Sequence, residues 1–257
     1  LFNERFSEEQ LVVTIGNFDG LHQGHKKIIQ EMQNISQNSN AKTMVIFTEP
    51  HAKEFFSMDK NIMEQAARIS PWRDMFKNLE NENIDFAFFL KFNKSLQTMS
   101  PEIFIEKVLG SLNISNLMIG DDFRFGQDRK GDFLMLKDWS KSQGISLSKL
   151  PTFSIDNRRV SSTWIRETLS LSDFSTTKKL LGRPYSFEGK VVHGNRLGRS
   201  IGFPTANIWL PKNNLPIKGV FSVKISIDVS EFEGIANIGI RPTVGAVSYT
   251  HLRAHET

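Results

Sequence analysis

The sequence contains no cysteine, which excludes disulfides, zinc–thiolate sites and thiol nucleophiles and suits a reducing cytoplasm. It contains no long apolar run either. The longest, Phe86 to Leu90, is far too short to cross a bilayer, so no membrane partner is expected. The first residues, Leu-Phe-Asn-Glu-Arg, lack both an apolar h-region and an initiator methionine. No secretory signal is therefore expected, and the chain reads as a fragment or a trimmed product. Neither sign of charge dominates: 32 basic residues face 28 acidic ones, for a net charge of +4. The basic residues are dispersed, so the pI near 9.2 marks no nucleic-acid stripe. Small anionic partners fit that surplus equally well. Repeats and low-complexity segments are also missing. What remains, 39% hydrophobic and 23% charged over 257 residues, is the composition of a globular protein of one large domain or two ordinary ones.

Leu11 to Ile15 is a short β-branched apolar run that stops at Gly-Asn-Phe-Asp-Gly. Beyond Gly24 the apolar residues Ile28, Ile29, Met32 and Ile35 fall on one helical face. Strands are expected at 44–47, 86–90 and 117–119, and helices at 60–80 and 131–143. A further helix is expected from Pro101, with Ser100 as its N-cap and Pro at N1. This alternation predicts an α/β domain with a doubly wound parallel sheet. Ligands in such sheets bind beyond the carboxyl ends of the strands, where loops 16–25 and 120–131 would lie. From Gly182-Arg-Pro-Tyr185 onward, Gly and Pro punctuate short strand-like runs at 188–192, 220–227 and 234–240. That stretch predicts a separate small β-barrel. The expected domains are thus 1–182 and 183–245, with 246–257 showing neither alternation nor turn logic.

The segment Gly16-Asn-Phe-Asp-Gly-Leu-His-Gln-Gly-His25 carries the clearest chemistry. Gly16, Gly20 and Gly24 let the backbone approach a phosphate chain without a Cβ in the way. A helix starting near Gly24 would set His22 and His25 one turn apart, beside free N–H groups and the positive end of the helix. The bland reading keeps the glycines as turn residues and the histidines as helix surface. A zinc site would need a third ligand, and none has convincing spacing. Strand, Gly-rich turn and paired histidines favour a triphosphate.

That segment resembles the Gly-x-Phe-Asp…His-x-Gly-His signature of the nucleotidyltransferase superfamily. Three further segments resemble the prokaryotic bifunctional riboflavin kinase/FAD synthetase family within it. Gly120-Asp-Asp-Phe-Arg-Phe-Gly126, with Arg129 and Gly131, is similar to the family's flavin loop. Val160-Ser-Ser-Thr-Trp-Ile-Arg166 is similar to its second ATP motif. The runs Leu180-Leu-Gly-Arg-Pro-Tyr185, Gly189-Lys-Val-Val-His-Gly194, Gly198-Arg-Ser-Ile-Gly-Phe-Pro-Thr-Ala-Asn207 and Asn237-Ile-Gly-Ile-Arg-Pro-Thr243 are similar to its flavokinase module. The resemblance spans residues 11 to 245. Pro50-His51-Ala52 departs from the family's usual Pro-x-Pro.

The resemblance implies adenylyl transfer from ATP to FMN, giving FAD and pyrophosphate. The nucleophile is already an anion, so charge stabilisation and positioning would dominate. It implies that His22, His25 and Arg166 are catalytic. ATP would be held by Gly16, Phe18, Asp19, Gly24, Ser161, Ser162 and Thr163, although Asp19 could equally be a turn residue and 161–163 a helix cap. Asp122, Phe123, Phe125 and Arg129 would hold the flavin, with one phenylalanine open to a core role instead. In the kinase module Gly198 would shape a phosphate loop, and Thr205 and Asn207 would offer hard oxygens to Mg²⁺. A Gly/Pro turn capped by that Thr and Asn is the bland alternative. Phosphorylating riboflavin needs a base for a neutral hydroxyl, supplied in the family by a glutamate on a later strand. Because the family pattern stops after Gly245, the expectation is that 246–257 is a foreign tail and kinase activity is lost. Two rivals remain: another adenylyltransferase of the superfamily, and a non-catalytic flavin- or nucleotide-binding regulator.

Overall fold

The computed structural model describes residues 8–59, 67–150, 152–192, 206–209, 215–240 and 248–254. They fall into two compact units, Leu1–Gln65 with Met75–Ser161, and Ala66–Asp74 with Ser162–Thr257.

The first unit is built on β1 (Leu11–Ile15), all of whose residues are buried. Leu11, Val13 and Ile15 pack into one core with Phe104, Val108, Leu109 and Leu136. Val12 packs into another with Ile29, Met32, Val45, Met75 and Leu79. A strand covered on both faces has no solvent side, which is why its sequence is apolar except for the buried Thr14. There follow α1 (Gln23–Ser39), β2 (Lys42–Glu49), α2 (Ala52–Asp59), α3 (Trp72–Asn81), β3 (Phe86–Lys91), α4 (Lys94–Gln97) and α5 (Pro101–Phe104). After a π-helical turn over Ile105–Leu109 come β4 (Ile114–Gly120), α6 (Phe133–Gln143) and β5 (Ser146–Leu150). The sheet order is β3-β2-β1-β4-β5, and each neighbouring pair is parallel. This is the doubly wound sheet that the sequence predicted. The order reverses between β1 and β4, so the loops leaving their carboxyl ends are neighbours at the switch point.

The helix predicted for 60–80 begins only at Trp72. Pro71 explains the late start, because it disfavours the α conformation at the residue before it. Residues 60–66 of that prediction lie outside the described residues. The predicted cap is present: Ile103 N–H donates to Ser100 Oγ at 3.3 Å. A small hairpin, β6 (Ser154–Ile155) and β7 (Arg158–Arg159), completes the unit. Its Asp156 and Asn157 have φ of 51° and 60°, the two positive values that a type I′ turn requires.

The second unit contains α7 (Ser162–Ser170), α8 (Phe174–Leu181), β8 (Lys190–Val192), β9 (Ala206–Trp209), β10 (Gly219–Ile227), β11 (Ser230–Ile240) and β12 (Ser248–Ala254). Its antiparallel sheet runs β10-β11-β12-β9-β8. The buried Thr177 hydroxyl donates to that of Thr168 at 2.8 Å, joining the two helices. Phe174 of α8 meets Phe221 of β10 edge-on at 5.4 Å. These contacts lie within the second unit, whose larger segment begins at Ser162.

Residues 248–254, expected to be an unmatched tail, form β12 between β11 and β9. A strand paired on both edges is held by its backbone ladder, so a missing side-chain alternation did not reveal it. Among the described residues, no helix is long and apolar enough to cross a membrane.

Candidate active site

The chain leaves β1 while still tied to β2, through the Gly16 N–H donating to Ile46 O at 3.1 Å. Phe18 then plugs the loop into the core at 1% exposure. A Cβ on Gly16 would stand 3.2 Å from its ring. Asp19 is buried, and its backbone N–H donates to Asn17 O in a local turn. Leu21 has a φ of 40°, a left-handed conformation that is strained for a branched residue. Its fully buried side chain, in one cluster with Phe18, Ile29 and Met32, holds it there.

The histidines differ from expectation in their roles. Only His25 is on α1; His22 is its N-cap, accepting the His25 backbone N–H on Nδ1 at 3.3 Å. The two rings stack at 3.6 Å between centroids with planes 12° apart, and His25 also lies 4.7 Å from the Phe18 ring. The reason for glycine at 24 is visible here. A Cβ would meet the His22 ring at 3.1 Å and the Phe153 Cβ at 3.7 Å.

Burial lowers the His22 pKa to about 4, and the Arg159 guanidinium adds to the effect. Burial, and then His22 itself, holds His25 well below the usual histidine range. Both rings are therefore neutral at pH 7. With Nδ1 of His22 accepting, its proton is assigned to Nε2, leaving a neutral N–H donor. Nδ1 of His25 is buried without a hydrogen-bond partner among the described residues. Proton linkage follows from these shifts. Between pH 6.5 and about 4 the unfolded chain protonates its histidines and the folded one does not, so stability falls as the pH falls. The expected loss from His22 is up to roughly 3 kcal/mol. Urea unfolding at pH 7 and pH 5 tests this: the double variant His22→Asn, His25→Asn should lose less stability on acidification than the parent.

At the end of β4, residues 120–131 form a closed loop, with Phe125 and Gly131 exchanging backbone hydrogen bonds at 3.1 and 2.9 Å. Phe125 is 5% exposed and belongs to the core beside Phe104; their rings are 5.3 Å apart. It is thus the core member of the pair, because the tight Phe125–Gly131 bridge turns it inward. Phe123 is half-buried, and Asp122 and Arg129 are exposed.

Ser161 ends the first unit; Ser162, Thr163 and Arg166 belong to the second, on α7. The Arg166 Nε donates to Ala67 O at 2.6 Å. Gly198 and Thr205 lie outside the described residues, whereas Asn207 is buried on β9, in register with Val192 and His251. Sequence reasoning missed Arg159 and Thr152, which converge on Asp121. The Asp-Asn turn signal could have found the hairpin of Arg159, but no local pattern pairs 159 with 121.

Two family models match the chain: one described as FAD synthetase over residues 4–164, and one described as riboflavin kinase over residues 181–256. The second match reaches past Gly245, so the kinase module is present and the expectation of its loss is corrected. Several relatives are named bifunctional riboflavin kinase/FMN adenylyltransferase. That of Pseudomonas fluorescens is 37% identical over 99% of this chain and 81% of its own length. That of Haemophilus influenzae is 41% identical over 91% and 76%, and that of Escherichia coli K12 is 37% identical over 93% and 76%. A Streptococcus pneumoniae crystal structure described as a macrolide-efflux protein superposes with a TM-score of 0.79 at 24% identity, covering 98% of this chain and 81% of that one. That likeness concerns the fold alone.

Proposed function

We propose, because the chain belongs to the bifunctional riboflavin kinase/FMN adenylyltransferase family, that its first unit makes FAD from FMN and ATP. The observation that carries this reading is the neighbouring emergence of the histidine loop and the 120–131 loop from β1 and β4 at the sheet's switch point. One loop offers phosphate donors, and the other an aromatic face with polar edges.

In this reading an FMN phosphate oxygen attacks the α-phosphorus of ATP. The bond to the bridging oxygen breaks, and pyrophosphate leaves with that electron pair. The attacking oxygen is anionic, so no base has to remove a proton. Negative charge grows on the α-phosphate oxygens and on the leaving group. The neutral His22 Nε2–H, fixed by its own cap, is a preorganised donor for that charge. His25, braced between Phe18 and His22, would act from the same face. Gly16 and Gly24 keep side chains out of the phosphate's path, and Asp122, Phe123 and Arg129 would take the flavin. For Ser161, Ser162, Thr163 and Arg166 the phosphate role rests on the family motif.

The second unit carries the kinase module of the family. There Gly198 and Thr205 keep the roles that the motif implies. The buried carboxamide of Asn207 is a hard oxygen donor of the kind that suits Mg²⁺, which would bring charge neutralisation to the nucleotide phosphates. A cytoplasmic setting, consistent with the cysteine-free composition, completes the proposal.

Chromatography of products from FMN, ATP and Mg²⁺ is the test. FAD and pyrophosphate in equal amounts are expected. Bound but unreacted FMN would favour a regulator, and an adenylylated product from another phosphate acceptor would favour a different adenylyltransferase. Riboflavin with ATP, assayed separately, reads the kinase module.

A further inference from the structure

Arg159 lies on β7, within the first unit, and pairs with the start of the 120–131 loop. Its Nη2 stands 3.1 Å from Asp122 Oδ2 and 3.3 Å from Asp121 Oδ1. Asp121 is held again from the segment after β5, where the Thr152 hydroxyl donates to its Oδ2. The Thr152 hydrogen bond first, and Arg159 to a lesser degree, hold the Asp121 carboxyl below the usual carboxylate range. A type I′ turn closes the hairpin bearing Arg159, and the Val160 N–H donates to Phe153 O at 2.9 Å. Phe153 in turn abuts the start of α1 at Gly24, where His22 senses the Arg159 charge.

These ion pairs contribute little to global stability. The side chains are 46% exposed for Arg159 and 71% for Asp122, and pairs so open to water are largely screened. A single guanidinium nitrogen, Nη2, nevertheless meets both successive carboxylates, so one charge ties the two side chains to a common point. Asp121 and Asp122 open the 120–131 loop, directly after Gly120 of β4.

We propose that Arg159 is a positioning residue that clasps the flavin-side loop to the histidine end of the site through Asp121 and Asp122, and so sets the FMN-binding geometry. The inference rests on the FMN adenylylation reading above. Arg159 thereby acts on FMN through the loop.

The test combines two readouts. In steady-state assays of FAD formation, Arg159→Met should raise KM for FMN by about tenfold with a smaller change in kcat, and Arg159→Lys should recover part of the loss. The pair Asp121→Asn, Asp122→Asn should reproduce the defect, and combining all three substitutions should add nothing, as members of one clasp are non-additive. Amide hydrogen exchange, which needs no turnover, should show faster exchange over residues 120–126 in Arg159→Met. Unchanged exchange there, additive losses, or a rise in KM for ATP alone would each overturn the clasp. If the parent enzyme made no FAD, the functional reading would fall, while the exchange result would still decide whether the clasp exists. Should Arg159→Met fail to fold, Arg159→Lys and the Asp pair carry both measurements.

Discussion

Replacing His25 with alanine is expected to lower kcat/KM for FAD formation by about a hundred- to a thousand-fold, the cost typical of removing one preorganised donor from a transition state. FMN binding should survive, because the flavin loop issues from β4 while His25 stands on α1 after β1. The imidazole is well placed for such a role. It is stacked on His22 at 3.6 Å, backed by Phe18, and has a buried Nδ1 with no hydrogen-bond partner among the described residues. His22 needs two substitutions, since it is both a helix cap and a candidate phosphate donor. His22→Ala should lose the cap, about 1 kcal/mol, together with activity. His22→Asn, a good capping residue, should keep the stability and remain inactive. Initial rates of FAD formation and urea midpoints for the three variants check this. Near-parental turnover in His25→Ala would remove the histidine pair from the catalytic assignment.

Gly126→Ala should be strongly disruptive in the flavin-side loop. Gly126 has a φ of 71°, and its Cβ would stand 2.7 Å from Pro101 N and 2.8 Å from Pro101 Cα. Those atoms are backbone at the start of α5, so the loop must move instead. Movement strains the Gln127 N–H bond to Met99 O, 2.7 Å, and the Phe125–Gly131 bridge beside it. The expected destabilisation is about 2–4 kcal/mol, combining overpacking with the cost of a left-handed alanine. KM for FMN should rise with it. Gly144→Ala is the control. It has nearly the same φ, 70°, but nothing within 4 Å of its Cβ, so only the backbone cost of about 1–2 kcal/mol applies. Equal losses in the two variants, by urea unfolding, would show that Pro101 is not the obstacle.

The contrast between these two glycines shows where sequence reasoning reaches its limit. Both are glycines near helix ends, and only the chain's path brings Pro101 against one of them. The same holds for Phe123 and Phe125: their alternate spacing allowed either to be core, and the Gly131 bridge turned Phe125 inward. The helix expected from residue 60 is seen from Trp72, because Pro71 disfavours the α conformation at the residue before it. The strand at 248–254 was missed because its pairing lies in the backbone and joins segments distant in sequence.

The histidine loop was legible from residues alone, since its glycines, its paired histidines and the strand before it are local features with local physical causes. The parallel sheet was legible too, because a strand buried on both faces is mostly apolar along its whole length. The tertiary structure decided which histidine caps and which rides the helix, and how burial sets their charge. It also decided that Arg159 meets Asp121 and Asp122. Burial and long-range ion pairing depend on which distant segments are packed together, and that information belongs to the folded chain as a whole.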